Sequence, residues 1–404
     1  MSPLSDRSDP GVTPTPRGWF EAVPPNGFQA RPVVQADNTN AAGLAAAAPD
    51  IVIETTPEHR NLVAGDPECT GWTRRSDDPG VEKRRAHLRD HNGIPDLELV
   101  APDRPERAAE LFHRDGFVVL RDALDATLLA ELKAATDAVV DDILAADHDG
   151  SIGGGAGGLP HRYSFGATSG SRHRLHDPAW CGLIDLDTTR PTLIEIFGAD
   201  TYIVGGGGGD VALPGAIEYQ GLQAERVWTE PHDPVGRLTT PQLPVPVVTI
   251  NFAVVDLTWE NGPTRQIPGS QRWLDPVPSL ADEPDWMKLS TVCPVPAGAA
   301  IVRDNRAWHG GTPNLSQHVR SLPNIEYYAP WFRSEGVHRC MPYERWAELS
   351  DHGKRISRYV MCSPGETVVG AGFTHPREAA RTAFIEAQLR ELGPPAAADW
   401  FLRR

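Results

Sequence analysis

Apolar positions change their period near the middle of the chain. Up to about residue 200 they recur at three- and four-residue steps. Leu128, Leu129, Leu132, Val139, Val140 and Ile143 predict one long helix, with Asp125 as its cap and an end near Ala146. Just before it, Phe112–Leu120 reads as a helix end, a stop at Gly116 and a short apolar strand. Glycines between Gly150 and Gly158 predict a flexible loop, and Pro191–Phe197 a second short helix. From Thr201 the period becomes two, which predicts strands at Thr201–Val204, Val247–Val255, Ala299–Arg303 and Asn324–Phe332. In the second, Ile250, Phe252 and Val254 share a face. In the last, Ile325, Tyr327, Ala329 and Trp331 do. A further helix is expected over Pro376–Leu392, with Thr374 as its cap and Gly393 as its stop.

Short strands punctuated by Gly and Pro turns point to a mainly β fold, a sandwich or jelly roll with flanking helices. Proline crowds the start of the chain, with 14 of 38 prolines in the first 105 residues. Residues 1–105 are therefore expected to form a Pro-rich, partly ordered, irregular N-terminal arm, with regular structure beginning near Arg107. A main domain over 106–335 and a helical extension over 336–404, packed on the same domain, complete the expected organisation.

Charge and cysteine use narrow the class. A formal charge of −16 and a pI near 5.3 argue against nucleic acid or an anionic membrane surface as partner. Cysteines 69, 181, 293, 340 and 362 are odd in number and widely spaced, which fits neither a disulfide framework nor a zinc finger. No apolar run approaches the ~18 residues of a membrane span, and no secretory signal is visible. The expectation is a soluble cytoplasmic protein in a reducing compartment.

The densest chemistry lies between Arg303 and Arg320. His309 follows a strand and precedes a Gly-Gly turn, and Arg320 stands where the next strand begins. On neighbouring strands such a pair can act as a metal ligand beside a carboxylate clamp, because a guanidinium grips carboxylates bidentately.

Four stretches in order carry a family resemblance: Phe112–Leu120, Asn261–Ser270, Trp308–Asn314 and Arg320. Together they resemble the phytanoyl-CoA dioxygenase (PhyH) family of Fe(II)- and 2-oxoglutarate-dependent oxygenases, over roughly Glu110 to Trp331. The resemblance implies a cupin-like double-stranded β-helix, that is, a jelly roll. It also implies Fe(2+) and 2-oxoglutarate as cofactors and a small organic, natural-product-like substrate undergoing hydroxylation, desaturation or rearrangement. His309 matches the distal metal histidine and Arg320 the residue that binds the far carboxylate of 2-oxoglutarate. Thr264, like Arg303, falls in a matching segment and is either a co-substrate support or a core or turn residue.

The sequence departs from the family at its His-x-Asp motif, where Gln223-Ala224-Glu225 stands. The spacing keeps both side chains on one side of an extended strand. An amide oxygen is nevertheless a poorer partner for iron than imidazole. The implied metal set is Gln223, Glu225 and His309. The alternative is a catalytically inactive or non-redox relative, serving as a partner subunit in a homo- or hetero-dimer with a related oxygenase, or as a repurposed pocket. His232 and Asp233 are adjacent and converge only in a loop. Other residues have two readings each. Asp304 orients His309 or closes a turn. His161 and Tyr163 reach substrate or lie on the surface. Trp228, Trp308 and Trp331 line a pocket or pack in the core. Gly205–Gly209 lets backbone approach closely or makes a mobile turn.

Overall fold

A computed structural model describes residues 79–146, 162–166, 174–224, 243–332 and 339–365. In chain order the elements are α1 (Pro79–His91), β1 (Leu99–Val100), α2 (Pro105–Asp115), β2 (Phe117–Leu120), α3 (Ala126–Ala146), β3 (Arg162–Gly166), α4 (Pro178–Cys181) and α5 (Arg190–Phe197). There follow β4 (Ile203–Ala212), β5 (Val247–Phe252), β6 (Thr264–Gln266), α6 (Asp285–Leu289), β7 (Ala300–Asp304), β8 (His309–Gly311), β9 (Arg320–Tyr328), α7 (Tyr343–Glu348) and α8 (Asp351–Ile356). Seven strands make one mixed sheet in the order β1-β2-β7-β5-β9-β4-β3, parallel only between β1 and β2. β6 and β8 pair in a second, smaller sheet.

Strand alternation divides the large sheet into two unlike faces. Val118, Val248, Ile250, Phe252, Val302, Ile325 and Tyr327 face the helices and join Phe112, Leu132 and Trp180 in the main core. On the opposite face, Phe117, Val119, Ile301 and Leu322 close a smaller apolar cluster with Val292 and Val295. That same face also carries Arg303, Asn251, Asn324, Asp210 and Arg320, all at positions in phase with Ile301 and Leu322. A row of polar groups therefore lies inside the fold.

Most expected elements are present. Asp125 caps α3, its Oδ1 accepting from the Leu128 amide at 2.8 Å. Regular structure starts earlier than expected, because α1 and β1 precede Arg107. Leu88 of α1 is fully buried with Leu315, and β1 pairs with β2 through Val100 and Leu120. The glycine run is not a turn: Gly205–Gly209 lies within β4. Neighbouring side chains fill the space that its own would need. A Cβ on Gly205 would stand 2.3 Å from the Tyr328 ring, and one on Gly209 2.6 Å from Phe165. Glycine is thus required there by close approach. Trp331 lies beyond the end of β9 and is exposed, so it shares no buried face with Tyr327. The expected loop at Gly150–Gly158, the helix at Pro376–Leu392 and residues 1–78 of the arm lie outside the described residues. Among those described, no helix is long and apolar enough to cross a membrane.

Candidate functional site

β8 spans only His309–Gly311, with Pro313 just beyond it, yet it is held from both sides. Gln266 of β6 lies directly opposite His309. On the other side Gln223 bridges His309, with amide-to-carbonyl bonds of 2.8 and 3.0 Å in both directions. Directly opposed antiparallel residues share a face. Gln223, His309 and Gln266 therefore form one row, and the Gln223 Nε2 stands 3.3 Å from the His309 Nε2.

The chemistry of its partners fixes the His309 ring. Nδ1 lies 2.8 Å from the Ala307 carbonyl, which can only accept, so Nδ1 carries the proton. Nε2 lies 2.7 Å from Nη1 of Arg303, which can only donate, so Nε2 accepts. Burial, reinforced by the Arg303 charge, holds the imidazole well below its usual titration range and keeps it neutral. Arg303 comes from β7, two strands from β9, and its Nε donates to Asn251 Oδ1 of β5 at 3.1 Å.

Arg320 opens β9 and is 3% exposed. Its Nε donates to the Gly262 carbonyl at 2.8 Å, and Nη1 points at the Asp210 carbonyl 3.5 Å away. Burial lowers its pKa to about 10. Arg162 on β3 donates to the carbonyls of Glu218, at 3.0 Å, and of Thr312. Burial and then the Arg320 charge pull it down to about 9. Among the described residues, none of Arg162, Arg303 and Arg320 forms an ion pair with a carboxylate. The nearby Asp210 carboxylate accepts from Ser164 Oγ at 2.5 Å. Arg265 differs: it faces away from this row and is paired with Glu283, both side chains fully buried.

Of the residues expected from sequence, the structure brings His309 and Gln223 together. Thr264 lies on the same face of β6 as Gln266, opposite Gly311. Glu225, His232, Asp233, Trp228 and His161 lie outside the described residues. Asp304 does not orient His309; it takes the Arg306 guanidinium at 2.6 Å and the Arg306 amide at 2.9 Å, closing the turn after β7. Tyr163 is neither at the surface nor toward the polar row, because its position in β3 points it into the main core. Trp308 packs with Leu222, Ile267 and Met287, edge-on to Trp273. Sequence reasoning missed Gln266, Asn251, Asn324 and Arg162. Their signal is a polar residue at alternating positions of an otherwise apolar strand.

A 2-His-1-carboxylate centre needs two imidazoles and a carboxylate with free lone pairs. The described residues supply one imidazole and one amide, and no cluster of three His, Cys, Asp or Glu side chains occurs among them. The imidazole lone pair that would face a metal already accepts from a guanidinium, which brings positive charge to the same point. The described donors do not fit an iron centre.

A family model described as "Phytanoyl-CoA dioxygenase (PhyH)" matches residues 112–322. Solved structures similar to the chain include the non-heme alpha ketoglutarate dependent epimerase SnoN from nogalamycin biosynthesis, at 20% identity, covering 56% of this chain and 81% of that one, TM-score 0.39. SnoN in complex with Fe3+, alpha ketoglutarate and nogalamycin RO gives 18% identity, 56% and 84% coverage and 0.38. The non-heme alpha ketoglutarate dependent carbocyclase SnoK from nogalamycin biosynthesis gives 18% identity, 69% and 98% coverage and 0.38.

Proposed function

Because the chain belongs to the phytanoyl-CoA dioxygenase (PhyH) family, we propose that the buried polar row around His309 and Arg320 binds 2-oxoglutarate or a closely similar dicarboxylate in the service of chemistry on a small organic molecule. Membership supports a general oxygenase-like function. In this reading the mixed seven-stranded sheet and the small β6–β8 sheet belong to one double-stranded β-helix, with β6, β8 and the start of β9 around the site. The arm over 1–105, whose described part joins the large sheet through β1, and the extension over 336–404 belong in this reading to one domain.

Arg320 carries the proposal. A buried guanidinium whose partners among the described residues are carbonyls retains its full charge, and a carboxylate is the partner its planar fork fits best. Calorimetric titration with 2-oxoglutarate tests it. Wild type should bind, and Arg320→Ala should lose about 2–5 kcal/mol, since the ligand carboxylate is then left unpaired in a buried site. Equal affinity in the two proteins would overturn the reading.

The Arg303–His309 contact favours a second reading: a non-redox pocket, or a partner subunit of a related oxygenase. A succinate assay with Fe(II) separates the two. Succinate that depends on 2-oxoglutarate supports turnover by this chain, whereas binding without succinate supports the second reading.

A further inference from the structure

We propose that Arg303 stands in the place of a metal and makes the buried polar row a metal-independent site for a dicarboxylate that reaches both Arg303 and Arg320. The inference rests on the reading that this row takes a dicarboxylate, and adds what replaces the ion.

Three observations carry it. First, the Arg303 guanidinium is 2.7 Å from His309 Nε2, the nitrogen that a metal would need, and Asn251 holds its Nε from the other side at 3.1 Å. A fixed positive charge is thus built into the sheet. Second, this charge is buried, and it has no carboxylate partner among the described residues. Third, two fully buried side-chain amides on the neighbouring strands have no hydrogen-bond partner among the described residues. Both Oε1 and Nε2 of Gln266 lack a hydrogen bond, as do both Oδ1 and Nδ2 of Asn324. Gln266 lies opposite His309, and Asn324 lies opposite Asn251 on the face that bears Arg303. Buried polar groups are costly unless something completes them. Four amide atoms without a partner among the described residues, beside an unneutralised guanidinium, offer a ligand both charge and hydrogen bonds.

The chemistry selects an anion. The Asn324 and Gln266 amide nitrogens and the free edge of Arg303 all donate, which suits one carboxylate; a water or hydroxyl can serve the amide oxygens. Arg320 lies four residues from Asn324 on the same face of β9, about 13 Å at the rise of a strand. Arg303 is level with Glu326 through Thr249, two residues beyond Asn324 and two strands from β9, so the dicarboxylate is proposed to reach from Arg320 past Asn324 to the Arg303 guanidinium.

The test titrates 2-oxoglutarate into metal-stripped full-length protein, once in EDTA and once with Mn(II), for wild type, Arg303→Met, Arg303→Lys and Arg320→Ala. Wild type should bind in EDTA, and Mn(II) should change its affinity by less than about threefold. Arg303→Met should weaken binding by about tenfold or more, and Arg303→Lys should recover part of the loss. Binding by wild type only when Mn(II) is present would overturn the proposal, as would an Arg303→Met titration matching wild type. If Arg303→Met fails to fold, the wild-type comparison with and without Mn(II) and the Arg303→Lys titration still decide. A different outcome marks failure of the dicarboxylate reading itself: no 2-oxoglutarate bound in either condition, with Arg320→Ala identical to wild type.

Discussion

At the scale of single residues, the site combines satisfied and unsatisfied groups within a few ångströms. His309 has a fixed tautomer, while the side-chain amide of its neighbour Gln266 has no partner among the described residues. Such buried orphans lower stability. Replacing Asn324 by leucine, which has the same branched shape though it is bulkier, removes two unsatisfied buried atoms. Asn324→Leu should therefore stabilise the protein by about 1–3 kcal/mol in urea unfolding. It should also weaken 2-oxoglutarate binding. A variant both less stable and unchanged in binding would contradict the assignment of Asn324 to the pocket. His309, Arg320 and Gln223 were legible in the sequence because each falls within a short contiguous pattern. Arg303 was visible only as a candidate in a matching segment. Its contact with His309 spans two sheets and depends on strand phase, which the sequence does not print. Gln266 and Asn324 were missed for the same reason.

Elements are tied together by a few buried polar contacts. Asp185, in the segment before α5, accepts from Ser350 Oγ at the cap of α8, from His352 Nδ1 at 2.8 Å and from Arg190 Nη1 at 3.1 Å. This carboxylate fastens the described C-terminal helices to the body. Burial pushes its titration upward, but the hydrogen bonds from Ser350 and His352 outweigh that and leave it below its usual value. A depressed carboxylate binds fewer protons in the folded than in the unfolded chain. Its stabilisation is therefore complete above about pH 4 and fades as pH falls through the folded value. Asp185→Asn should cost about 1–3 kcal/mol at pH 7. It should also flatten the acid side of a stability-against-pH curve below about pH 4. A parallel curve displaced at every pH would show that Asp185 is not the titrating tether. Helices with caps and clear periodicity were legible here, α3 above all. β4 was not, because five glycines suggest a turn until the rings of Tyr328 and Phe165 are seen to fill the space above them.

For the whole molecule, α1 and β1 belong to the body and support the site. Arg85 of α1 donates to the Leu315 carbonyl at 2.8 Å, and Leu88 packs on Leu315, in the segment between His309 and Arg320. Gly93 reaches the Leu289 carbonyl at 3.1 Å, and β1 extends the large sheet. Burying Leu88 alone is worth about 1.5–3 kcal/mol. A chain beginning at Pro105 should melt at least about 5 °C below one beginning at Pro79, and bind 2-oxoglutarate more weakly. Equal melting temperatures would mean that α1 and β1 only decorate the surface.

The central claim is that a guanidinium, and not a metal, faces the ligand at His309. Crystals grown with 2-oxoglutarate and Mn(II), measured with anomalous scattering at the manganese edge, test it most directly. The account predicts dicarboxylate density between Arg303 and Arg320, touching Asn324 or Gln266, with Arg303 still on the His309 Nε2 and no anomalous peak there. An anomalous peak about 2 Å from that nitrogen, with Arg303 swung away, would contradict it.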